Sequence, residues 1–167
     1  GAELPAVYGA FESTVETPEN MTAVTISVKG DAAVESLYGL FRTYCTGGVL
    51  IDTEESVTIK SLYGLRSSTM DGDITENINY NCDGNTFVTL ATDGYYTGKA
   101  YTINGDAVFN MNGAGISSVY IVQNGAVLSK TLTAKVTDSK VDNLCGVSQS
   151  AKVDGDVSLT FDGISAV

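Results

Sequence analysis

The sequence predicts an all-β fold, an antiparallel β-sandwich of jelly-roll type or a small barrel, and three observations carry that expectation. First, Asx-Gly dipeptides punctuate the chain at Asp71–Gly72, Asp83–Gly84, Asp93–Gly94, Asn104–Gly105, Asn112–Gly113, Asn124–Gly125, Asp154–Gly155 and Asp162–Gly163. Aspartate and asparagine tolerate positive φ and glycine takes it freely, which suits the type I′ turn of a tight hairpin. Second, the segments between these dipeptides have strand length and alternate apolar with polar side chains. Third, the chain is rich in threonine, whose branched side chain favours a pleated strand over a helix.

Taken along the chain, residues 1–19 form an N-terminal extension that holds both prolines, Pro5 and Pro18. Between them Ala6 to Phe11 is an apolar run of strand length. Proline lacks the amide donor that continues a ladder, so the pair delimits a strand able to leave its own domain. Val7, Tyr8 and Phe11 are its candidate contact residues, and insertion into an open sheet edge of the next copy would join subunits head to tail.

Residues 20–167 read as one β domain. Val24, Ile26 and Val28 alternate with Thr25 and Ser27 as in a half-buried strand. The stretch from Asp31 to Cys45 has two readings. Val34, Leu37, Tyr38 and Phe41 keep helical spacing, Asp31 can cap the start and Gly47–Gly48 can end it, so a short helix over 32–44 competes with a strand, although Gly39 interrupts the pattern. Ser36–Leu37–Tyr38–Gly39–Leu40 recurs as Ser61–Leu62–Tyr63–Gly64–Leu65. A single short match is read here as two similarly placed strands rather than as a solenoid repeat. Thr86 to Leu90 and Ser118 to Val122 are apolar on both faces, as in interior strands. Val157, Leu159 and Phe161 alternate with Asp156, Ser158 and Thr160 in the last strand.

Composition narrows function by exclusion. The 167 residues carry 20 acidic and 9 basic side chains and no histidine, for a net charge of −11. Lack of histidine removes the commonest general base, proton shuttle and transition-metal ligand, so no enzyme is expected. The cysteines have no imidazole to activate them, and the close carboxylates Asp71/Asp73 and Asp154/Asp156 flank turn glycines. Phosphate backbones and anionic lipids would be repelled, which argues against nucleic acid as a partner. No apolar run approaches the roughly 18 residues of a spanning helix, so no membrane insertion is expected. The opening Gly1–Ala2–Glu3 fits a processed leader or a cloning scar, and an extracellular or cell-surface location is expected, with a virion as the alternative.

The one ion the side chains suit is calcium, a hard cation that takes several oxygens. Asp71, Asp73, Glu76, Asp83 and Asn85 would supply them if their turns converge; no other cofactor is expected. Cys45, Cys82 and Cys145 allow one disulfide with a thiol left over, or free buried thiols. Asn20–Met21–Thr22 is a glycosylation acceptor sequence. Tyr95, Tyr96 and Tyr101 are the candidate platform for carbohydrate. The function expected from these features is a structural subunit that polymerises with copies of itself into an extracellular filament, pilus-like fibre or tube. A viral capsid or tail protein, and a monomeric adhesin or carbohydrate-binding module, are the alternatives.

Overall fold

A computed structural model describes residues 3–17, 21–93 and 101–167. The chain winds as a parallel β-solenoid of about five turns, each coil contributing one strand to each of three sheets. Sheet A stacks β1 (Leu4–Phe11), β4 (Ala33–Phe41), β7 (Thr58–Arg66), β10 (Phe87–Thr92), β13 (Gly115–Gln123) and β16 (Lys140–Val147). Sheet B is built from two-residue strands, β2 (Thr14–Val15), β5 (Tyr44–Cys45), β8 (Thr69–Met70), β11 (Thr102–Ile103), β14 (Val127–Leu128) and β17 (Lys152–Val153). Sheet C stacks β3 (Thr22–Val28), β6 (Gly48–Thr53), β9 (Ile74–Ile78), β12 (Ala107–Asn112), β15 (Leu132–Thr137) and β18 (Val157–Asp162).

This architecture overturns the antiparallel sandwich or barrel. Consecutive strands do not pair; each strand lies parallel to the strand one coil on. The Asx-Gly dipeptides are corners of the coil and not hairpin turns. Asn112–Gly113 turns the chain from sheet C to sheet A, and Asp162–Gly163 follows β18 at the equivalent corner and leads to the Ser165–Lys140 bridge, with Gly113, Asp138 and Gly163 at φ of 63°, 49° and 62°. Asp71–Gly72, Asn104–Gly105 and Asp154–Gly155 sit at the corner from sheet B to sheet C. Asp83–Gly84 lies in the connection between β9 and β10, and Gly94 is outside the described residues. A left-handed residue serves a solenoid corner as well as it serves a hairpin, so the dipeptide marks a turn without saying what is paired across it.

The helix over 32–44 is likewise absent, because that stretch is β4. Ser36–Leu37–Tyr38–Gly39–Leu40 and Ser61–Leu62–Tyr63–Gly64–Leu65 are adjacent strands of sheet A, paired Leu37 to Leu62 and Tyr38 to Tyr63. Their 25-residue separation is the length of one coil. The same offset recurs in Val49↔Ile74, Ala107↔Leu132 and Val119↔Leu144. The two segments are similarly placed strands, as the sequence suggests, but they are so because the pentapeptide is part of a solenoid repeat, which corrects the reading against one.

The core runs along the solenoid axis. Leu37, Leu62, Ile51, Ile74, Met70, Phe109 and Leu128 are fully enclosed within it. The short strands of sheet B contribute one inward residue each, in a row that includes Cys45, Met70, Ile103 and Leu128. On the outer faces like side chains stack on like. Asn110 Nδ2 donates to Asn77 Oδ1 at 2.9 Å, and Asn77 Nδ2 donates to Asp52 Oδ1 at 2.5 Å, an amide ladder that ties β6, β9 and β12. On sheet A the Tyr8 and Tyr38 rings stack at 5.0 Å and the Tyr38 and Tyr63 rings at 4.9 Å, each pair 7° from coplanar. Those spacings match the separation of neighbouring strands, about 4.8 Å.

Candidate functional site

The residues proposed for calcium fall into three surroundings. Asp71 lies at the corner after β8, where it accepts hydrogen bonds from Tyr44 Oη at 2.5 Å and Asn104 Nδ2 at 2.6 Å. These two donors, the tyrosine first, hold its carboxyl below the usual carboxylate range, and the same bond raises the Tyr44 phenol. Asp73, two residues on, accepts from the Asp106 backbone N–H at 2.8 Å. Glu76 points into the core between Ile74 and Ile78, fully buried. Asp83 and Asn85 belong to the connection between β9 and β10. Among the described residues no group of three or more histidine, cysteine or acidic side chains is arranged to hold a metal ion.

The other sequence candidates are placed as follows. Cys45, Cys82 and Cys145 are all free thiols; Cys45 is in the core row of sheet B, and burial pushes its thiol up. Asn20, Tyr95 and Tyr96 lie outside the described residues. Val7, Tyr8 and Phe11 are on β1, which pairs in parallel with β4 of its own chain along one edge. Tyr8 and Phe11 join the aromatic row of sheet A, stacking on Tyr38 and Phe41.

Two features emerge that the sequence reading missed. The first is the state of the two ends. Among the described residues β1, β2 and β3 each have a partner strand on one side only, as do β17 and β18, while the outer side of β16 is bridged at Lys140 by Ser165, whose carbonyl accepts from the Val141 N–H at 2.8 Å. Val157, Leu159 and Phe161 of β18 continue the rows of Leu132, Ala134 and Val136, yet they are 45%, 40% and 46% exposed where those three are 0%, 1% and 0%. At the opposite end Leu4 continues the row of Val34 and is 53% exposed against 2%. Among the described residues no further coil covers these positions. The sequence signal was present in the Val157–Leu159–Phe161 alternation, but only a stacked fold gives that face an axial direction.

The second feature is the outer face of sheet B. Tyr44 stands in its row between Thr14 and Thr69. A cleft of about 640 Å³ opens on one side of it, bordered by Arg42, Ser67, Thr69 and Tyr101 among others. A smaller one of about 330 Å³ is lined by Thr17, Thr46, Asp71 and Asn104. Tyr44 lines the larger cleft and its hydrogen-bond partner Asp71 lines the smaller one. Arg42 is ion-paired with Glu12 at 2.7 Å on the rim of the larger cleft. The chain matches no family model, no curated protein and no solved structure.

Proposed function

We propose that the chain is a structural subunit that associates end to end with copies of itself, extending its three sheets into an extracellular filament or tube. The observation that carries this reading is that the first and last described coils present opposite edges of the same three parallel ladders, open along β17 and β18 and along β16 beyond the Lys140–Ser165 bridge. A strand edge with unpaired N–H and C=O groups is a template for another strand. Strands β1 to β3 run in the same order and direction as β16 to β18, so a second copy set on β18 would meet it with the geometry that each coil already uses within the chain. Leu159 then has Ile26 of the incoming copy as its row neighbour, as Ile26 has Ile51 within one chain. The contact joins unlike surfaces, and because it repeats the translation from coil to coil along the solenoid axis it does not curve back into a ring, which gives an open polymer. This replaces insertion of a detached N-terminal strand with stacking of whole coils.

Electron microscopy of the purified 167-residue chain, with sedimentation alongside, tests the reading. Filaments or head-to-tail oligomers are expected. Leu159→Lys places a charge in the stacked row and is expected to yield a folded monomer, since Leu159 is already exposed in the single chain. Dispersed monomers of the unmodified chain at every concentration and salt would overturn it.

A further inference from the structure

We propose that the outer face of sheet B binds a neutral oligosaccharide, with Tyr44 as the stacking platform and the two flanking clefts as subsites for the adjoining sugars. Sugar rings pack their C–H faces on aromatic faces, so a platform needs a ring whose face is open. That requirement separates the two aromatic regions of this molecule. On sheet A the Tyr8, Tyr38 and Tyr63 rings cover one another at about the strand spacing, and Arg66 lies over the Phe41 and Tyr63 rings at 5.3 and 5.2 Å. Inside that stack only ring edges are presented. Tyr44 has threonines above and below it in its row, is 42% exposed, and stacks with no other ring among the described residues.

Tyr44 is also held in place. Its hydroxyl is tied to Asp71, which is itself tied to Asn104, so little side-chain freedom remains to be lost on binding. The larger cleft has the volume of a small-molecule site, about 300–1,000 Å³. Its walls supply hydroxyls from Ser13, Thr14 and Thr69, the Arg42–Glu12 pair and the Tyr101 ring. Hydroxyl groups that both donate and accept, beside a charge that is already compensated, match a polyol and give no preference for an anion. The net charge of −11 opposes an anionic glycan.

The test is affinity electrophoresis of the 167-residue chain through gels containing neutral soluble polysaccharides, namely mixed-linkage β-glucan, xylan, galactomannan and amylopectin, with alginate and heparin as polyanions. At least one neutral polysaccharide is expected to retard the chain. Tyr44→Ala should weaken that retention by about tenfold, the effect of losing roughly 1.4 kcal/mol. Tyr44→Phe, which keeps the ring and releases the Asp71 tether, should fall between. Tyr120→Ala, in the aromatic row of sheet A, should bind like the parent, and circular dichroism should show all variants folded. Retention by none of the neutral polymers, retention only by the polyanions, or undiminished retention of Tyr44→Ala would overturn the proposal.

Discussion

Glu76 is the residue whose surroundings most conflict with its chemistry. Alternation along β9 puts positions 74, 76 and 78 on one face, so the acid shares the inward side with Ile74 and Ile78. It stacks between Ile51 and Phe109 of the neighbouring coils. Neither carboxyl oxygen, nor the buried Tyr80 hydroxyl, has a hydrogen-bond partner among the described residues. Burial therefore pushes the Glu76 carboxyl well above its ordinary value of 4.5. The folded state holds this proton at pH values where the unfolded state has released it. The stability tied to that proton is complete below about pH 4.5 and is lost as pH rises toward the folded pKa. Glu76→Gln should remove this component, so the difference between parent and variant in urea midpoints should grow from acid to neutral pH. Glu76→Leu also removes the unpartnered oxygens and should stabilise the chain at pH 7 by about 1–3 kcal/mol. A parent whose stability relative to Glu76→Gln is constant from pH 4 to pH 8 would refute the assignment.

At the scale of the strand, the recurring Tyr-Gly pair does two jobs on opposite faces of sheet A. The tyrosine joins the external stack, and the glycine leaves room inside for a side chain crossing from sheet C. A Cβ on Gly9 would lie 2.6 Å from Val24 Cγ1, and one on Gly39 would lie 3.1 Å from Ile51 Cδ1. At Gly64 it would collide with Glu76 Oε1 and lie 2.5 Å from the Leu90 carbonyl oxygen. Gly64→Ala should cost about 1–3 kcal/mol by overpacking, whereas Gly30→Ala meets no atom within 4 Å and should show only the strain of its positive φ. Thermal or urea unfolding of the two variants checks this ordering. The strands themselves were legible, since alternation at Val24–Ile26–Val28 and Val157–Leu159–Phe161 is the same whatever the partner strand. Pairing direction was not, because Asx-Gly suits a corner and a hairpin alike. Nor was the period, which is 25 residues for Leu37↔Leu62 but lengthens to 30 for Val7↔Leu37 and 33 for Ile74↔Ala107 where loops are inserted. Several corners are also turned by residues with no turn signature, such as Arg42, Ser67 and Gln149 at φ of 50°, 50° and 52°. For the sheet B face, Tyr101 lines the larger cleft while Tyr95 and Tyr96 lie outside the described residues, and nothing in the sequence around Tyr44 points to it because its flanking residues come from the neighbouring coils.

For the whole molecule, stability in a stacked chain is a sum of coil contributions and nearest-neighbour interfaces, and the outermost of the described coils have one such interface each. The end-to-end association proposed above would supply a second, with apolar burial of residues such as Leu4, Leu159 and Phe161 as its driving force. Opposing it is the charge, because each copy carries −11 and polymerisation brings identical charges together. These two contributions respond to salt in opposite ways from a contact driven by charge complementarity. Raising ionic strength from 0.01 to 0.15 M shortens the Debye length from about 30 Å to about 8 Å, which screens the repulsion between neighbouring copies while leaving the apolar contact intact. Assembly of the chain should therefore strengthen with salt over that range. Sedimentation velocity at fixed protein concentration is the measurement, with a rising polymer fraction as the expected result. Polymers that dissolve as salt is added would show that ion pairs between copies, and not the exposed rows at the solenoid ends, hold the assembly together.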